Sequence, residues 1–229
     1  MQRSTDTRIA ANARRIGAAI APDVHQRCAT ARRIYIIGAP GTGKSTFAHT
    51  IACGTPVWEL DSIAIEDRTK RPWPDAVRQQ AVQRIAAQDA WIVEGVWIGW
   101  TQDLLEQADV IIWLDTLPRW LTLWRIIVRF TRAGWQEAQR QRGLAKIARF
   151  RDYARHLGQL MTALRTASAF DSPPAPPADG GQQPYQPRGR VAMAAYLSAW
   201  EERLIWCRTN QHLHDLTTAL QLRTHRSLT

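Results

Sequence analysis

Residues 38–45 read Gly38-Ala39-Pro40-Gly41-Thr42-Gly43-Lys44-Ser45, the spacing G-x-x-x-x-G-K-[ST]. Each residue type in it has a job around an anion. Gly38, Gly41 and Gly43 let the backbone wrap closely with no Cβ in the way, so the amides of residues 41 to 46, those of Thr42 and Thr46 included, can point inward as a nest of donors. A helix starting near Gly43 would add its positive end. Lys44 can reach the β- and γ-phosphates as a mobile cation, and the Ser45 hydroxyl can ligate Mg²⁺. The motif also follows an apolar run and precedes a helical pattern, the context such a loop needs.

Other residues could work with this loop. Asp115 closes the apolar run "VIIWLD" as a metal-binding carboxylate would. Arg125, Arg129 and Arg132, spaced i, i+4, i+7, share one face of a predicted helix, where guanidinium groups could meet phosphate oxygens in bidentate fashion; a solvated basic face is the plainer reading of Arg132 and competes for Arg129. Asp61 follows the run "VWEL" and has an ordinary alternative as a helix N-cap.

These residues must be held by a frame, and the periodicity supplies one. Apolar runs at 34–37, 57–60, 91–93, 110–114 and 204–207 read as strands. Helical patterns at 44–52, 74–88, 101–107, 119–132 and 210–222 separate them, the second with Val77, Ala81 and Ile85 on one face. Alternation of this kind implies crossovers and a parallel sheet covered on both sides, in one core. Residues 171–190 hold six of the chain's twelve prolines and three glycines and read as a linker. The expected organisation is a basic, flexible extension over 1–31, which a start site assigned too early would also explain; a phosphate-loop core over 32–132; a helical, lid-like insertion with the linker over 133–190; and the rest of the core over 191–229.

The phosphate loop, "WIVEG" and "LD-x-x-PRW-x-x-x-x-R-x-x-x-R" together resemble the adenylate-kinase-like P-loop kinases, and within them the DNA topology modulation proteins. The resemblance covers about residues 32–132 and 200–222. It implies an α/β P-loop NTPase three-layer sandwich with a parallel five-stranded sheet, ATP and Mg²⁺ as cofactors, and a small nucleoside- or nucleotide-like acceptor opposite the loop. By position, Asp61 would face the acceptor, Glu94 would hold Mg²⁺ through water with Ser45 as the other ligand, and Arg119, Arg125 and Arg129 would lie where lid arginines close on the phosphates. In this family Asp115 is more often structural. Where the family usually has Asp-Gly-Asn-Tyr, this chain has Glu94-Gly95-Val96-Trp97.

Composition bounds the alternatives. The 229 residues are 45% hydrophobic and 22% charged, which suits a globular domain. The longest apolar candidate for a membrane span is broken by Arg125 and Arg129. Cys28, Cys53 and Cys207 sit in no metal-ligand spacing, and a reducing cytoplasm fits them. The net charge of +10 is concentrated in two segments: a local +9 between Arg119 and Arg165, and +5 in the first 33 residues. Such segments can bind nucleic acid. Two functions therefore stand beside a phosphotransferase: an ATP-dependent DNA-binding or DNA topology modulating protein, and an NTPase with no acceptor. Of the eleven tryptophans, Trp91, Trp113, Trp120, Trp124 and Trp206 fall in apolar patterns and read as core, whereas Trp97 and Trp100 lie just past a strand's carboxyl end, where open α/β sheets bind ligands.

Overall fold

The computed structural model of the chain describes residues 22–66, 71–97, 99–116, 127–128 and 190–221. Among the described residues there are five strands: β1 (Arg33–Gly38), β2 (Val57–Glu59), β3 (Trp91–Glu94), β4 (Val110–Leu114) and β5 (Leu204–Cys207). They form one sheet in the order β2-β3-β1-β4-β5, and every pairing is parallel. All five carboxyl ends consequently lie along one edge of the sheet.

The strands alternate faces with period two, and both faces are buried, as a parallel sheet requires. On one side Ile34, Ile36, Ile92, Val110, Ile112, Leu114, Ile205 and Cys207 pack with α1 (Pro22–Thr30), α2 (Lys44–Thr50) and α7 (Asn210–Gln221). On the other, Tyr35, Ile37, Trp91, Val93, Ile111, Trp113 and Trp206 pack with α3 (Leu60–Ala64), α4 (Asp75–Ala86), α5 (Gln102–Gln107) and α6 (Arg190–Leu197). The result is the α/β P-loop three-layer sandwich that the sequence leads one to expect. Among the described residues no helix is long and apolar enough to cross a membrane.

Three expectations need correction. The first concerns the extension over 1–31, expected to be flexible. Residues 22–30 instead form α1, which packs against α7, buries Cys28 and Ala31 completely or nearly so, and has the Arg27 guanidinium donating to the Glu202 carbonyl. Apolar burial on α7 outweighs the basic composition of the segment. The second concerns the inward face of α4, which is Arg78, Val82 and Ile85, with Val77 44% exposed. Arg78 can go inside because it is paired with Asp75 and lies over the Trp100 ring, 5.4 Å from its centroid. The third is α6, absent from the predicted elements, which begins where the proline-rich stretch stops. The predicted helix 119–132, except residues 127 and 128, lies outside the described residues, as does the insertion up to residue 189.

Candidate functional site

The loop between β1 and α2 stands at the carboxyl edge of the central strand. Gly43 takes φ 91° just ahead of α2, a left-handed conformation in which a Cβ is strained, so glycine is required there for conformation and not for space. Within the loop, the Thr42 hydroxyl donates to the Ala39 carbonyl at 2.8 Å, and the Lys44 ammonium donates to the same oxygen at 3.2 Å. Lys44 thus lies folded across the loop and only half-buried.

Glu94, the last residue of β3, reaches the loop from the neighbouring strand. Its Oε1 accepts a 2.6 Å hydrogen bond from Ser45. Glu94 is buried, with 6% of its surface exposed. Burial holds its carboxyl above the usual carboxylate range; the Ser45 hydrogen bond and the Lys44 charge pull it back down, while Asp61 and Glu59 push it up. A buried carboxylate next to a hydroxyl is a pair of hard oxygen donors of the kind that magnesium takes, a few from protein and the rest from water and phosphate. Among the described residues no group of three or more His, Cys, Asp or Glu side chains could hold a metal.

Glu59, at the end of β2, is in register with Glu94 and lies 3.7 Å from His49 of α2. Nothing in the sequence singles it out, because the registration of two strand ends is a property of the sheet. Asp61 is two residues further on. It is not the N-cap of α3: that position is Glu59, and no side chain caps it. Instead the Asp61 carboxylate is exposed and accepts a 2.7 Å hydrogen bond from the Trp97 indole.

Trp97 and Trp100 therefore part company. Trp97 is half-buried beside Asp61, whereas Trp100, expected near a ligand, is instead in the core at 8% exposure. Between the strand end and Trp97, Gly95 has φ 150°, and a Cβ on it would fall 2.7 Å from the Leu60 Cβ. Only glycine lets β3 turn so closely over α3.

Asp115 faces elsewhere. Its carboxylate accepts from Arg190 at 2.9 Å and from the Trp206 indole at 3.2 Å, a structural tie between β4, β5 and α6. Trp206 stacks on Trp113 with centroids 4.4 Å apart and planes 10° from parallel, and the Arg208 guanidinium lies over the Trp206 ring, 4.9 Å from its centroid. The structure thus brings Lys44, Ser45, Glu94 and Asp61 to one edge of the sheet. Arg119, Arg125 and Arg129 lie outside the described residues.

No family model and no curated protein sequence matches the chain. Among solved structures, the chain is similar to an unliganded sugar kinase from Janibacter sp. HTCC2649, with 20% identity, a TM-score of 0.30, and coverage of 42% of this chain and 65% of that one. It thus spans just under two thirds of that kinase's length. It is also similar to shikimate kinase from Acinetobacter baumannii in complex with shikimate, with 17% identity, a TM-score of 0.34, and coverage of 78% of this chain and 98% of that one.

Proposed function

We propose that the chain is an ATP-dependent phosphotransferase that moves the γ-phosphoryl group onto a hydroxyl of a small acceptor. The observation that carries this reading is the hydrogen bond from Ser45 to the buried Glu94 beside the GxxxxGKS loop. A bond between those two residues joins the loop's hydroxyl to a carboxylate from the next strand, as a shared magnesium site needs.

In this reading Gly38, Gly41, Thr42, Gly43, Ser45 and Thr46 supply the loop that receives the phosphates of ATP. Ser45 and Glu94 would hold magnesium, which when bound would supply charge neutralisation for phosphoryl transfer. Lys44 exchanges the Ala39 carbonyl for a phosphate oxygen and follows the charge as it develops. Asp61 orients the acceptor hydroxyl and takes its proton. Arg119, Arg125 and Arg129 are the cations proposed to close over the phosphates. The likeness to the DNA topology modulation proteins rests on the sequence motifs alone. The same holds for nucleosides and nucleotides as the acceptor class, while a cytoplasmic site of action rests on the spacing of the cysteines in the sequence.

The test is ATP turnover in Lys44→Ala and Ser45→Ala. Lys44→Ala should abolish turnover in a chain that melts like wild type, because Lys44 does not pack in the core. Ser45→Ala should shift the magnesium titration to higher concentration by about tenfold. Normal turnover in folded Lys44→Ala would defeat the proposal. Acceptor-independent hydrolysis at the full rate would favour an NTPase, and steep salt-dependent duplex binding a DNA-binding role.

A further inference from the structure

Trp97 is linked to two places at once. Its indole N–H donates to Asp61 Oδ1 at 2.7 Å, and its backbone carbonyl accepts from the Thr101 hydroxyl. Thr101 is fully buried, and its hydroxyl is 2.9 Å from the phenol oxygen of Tyr35 on the central strand. Tyr35 is fully buried too. A polar chain therefore runs from the middle of the sheet to an exposed carboxylate. Buried hydroxyls are costly unless each is satisfied, and here each satisfies the next, so the position of Trp97 is set from the core.

The consequence falls on what Asp61 can bind. One of its oxygens is taken by the indole, which leaves the other for an acceptor hydroxyl, with the aromatic ring of Trp97 alongside. Glu59, in register with Glu94, and Asp61 two residues on bring two further carboxylates to the strand ends beside Glu94, so this side of the site is a poor place for a phosphate or carboxylate. An indole beside a carboxylate oxygen suits a ring with C–H groups on its face and hydroxyls on its rim.

Building on the phosphotransferase reading, we propose that Trp97 and Asp61 form an acceptor subsite for a polyhydroxylated ring without an anionic group, a sugar or a cyclitol, and that Thr101 and Tyr35 are its positioning residues. This departs from the nucleotide acceptor implied by the sequence resemblance. Transfer to such a ring forms a bond between its hydroxyl oxygen and the γ-phosphorus, breaks the bond from that phosphorus to the β–γ bridging oxygen, and delivers the hydroxyl proton to Asp61.

The experiment uses the full chain with ¹⁵N-labelled tryptophan, the Trp97 indole resonance being the one lost in Trp97→Phe. With Mg·ATP binding first verified against Lys44→Ala, myo-inositol, glucose and adenosine monophosphate are added in turn, and ADP release is followed with a panel of neutral sugars and cyclitols. The expected result is that the Trp97 resonance moves with at least one neutral ring and not with adenosine monophosphate, and that a neutral ring stimulates ADP release. Trp97→Phe and Thr101→Val should then raise the KM for that ring about tenfold with little change in kcat. Thr101→Ser, which keeps the hydroxyl, should restore it even if Thr101→Val folds poorly. Stimulation by adenosine monophosphate, or no response to any neutral ring in a chain that binds Mg·ATP, would overturn the subsite and leave the phosphate loop standing. Loss of Mg·ATP binding itself would bring down the phosphotransferase reading and the subsite together.

Discussion

Glu94 carries opposing demands. Folding buries its carboxyl beside Ser45 and under the influence of Asp61 and Glu59, and the proton is held above the usual carboxylate range; the magnesium role proposed for it needs the same group ionised. Because the folded chain keeps this proton to higher pH than the unfolded chain does, the group's contribution to stability is complete below the unfolded carboxylate pKa. It is lost as pH rises through the folded one. The ligand-free chain should therefore lose stability across that window on going up in pH, and Glu94→Gln should flatten the slope. Thermal melts over a pH series in both proteins check this, and an unchanged slope in the variant would show that Glu94 is not the group responsible. The same variant should lose about a hundredfold in ATP turnover. A residue that weakens the empty site and strengthens the loaded one is what a binding position looks like from the stability side.

At the scale of the elements, Gly95 is the tightest junction. Gly95→Ala puts a Cβ at 2.7 Å from Leu60 in a backbone conformation with φ 150°. It should cost about 2 kcal/mol and lower the Tm by roughly 4–8 °C, measured by calorimetry. Helix α1 gives a second expectation: Cys28 is fully buried among α1 and α7 residues, so Cys28→Asp should destabilise by about 3 kcal/mol or more, a loss read from denaturant titration. A chain in which residues 22–31 were merely an appendage would show no change. The strands were legible because each is a short, nearly continuous apolar run bounded by turns, as a doubly covered parallel strand must be. Helix α1 was not: its sequence, PDVHQRCAT, is polar apart from a few residues, and what orders it is the surface of α7. The face of α4 is hidden for a related reason, since no periodicity rule places an arginine inside until its partners Asp75 and Trp100 are known. Lys44, Ser45 and Glu94 could be read from motifs, whereas the Trp97–Asp61 contact joins residues 36 apart through the packing of α3 against β3. Tyr35 left one trace, a phenol within "RIYIIG", because a hydroxyl inside an apolar strand must find a partner.

For the molecule as a whole, the tie at Asp115 links the end of β4 to β5 and α6. Asp115 is 9% exposed at its side chain and Arg190 47%, so the ion pair itself is partly screened and of modest worth; the Trp206 hydrogen bond and the backbone bond from Asp115 to the Cys207 carbonyl at 2.8 Å add to it. Burial, with the nearby Asp115 charge adding to it, pushes the Cys207 thiol up to about 12, so that cysteine stays a neutral core residue. Asp115→Ala should cost about 1–3 kcal/mol of stability while leaving the magnesium dependence of ATP turnover unaltered. Measuring both in one variant separates a structural carboxylate from a metal ligand, because only the latter would move the titration.

The pairing of β4 with β5 also dictates a schedule during synthesis. Ile111 lies opposite Leu204, and Leu114 opposite Cys207, so the edge of β4 waits while the ribosome makes everything between. At about 5–20 residues per second, that wait is on the order of ten seconds. Throughout it the first four strands and the phosphate loop can already be in place, but Ile112 and Trp113 border an unfilled edge of the kind that attracts other chains. The nascent chain is therefore most exposed to misassociation after its glycine-rich loop can form and before its last strand arrives, and under the proposed function a nucleotide bound in that interval would steady the half-built sheet.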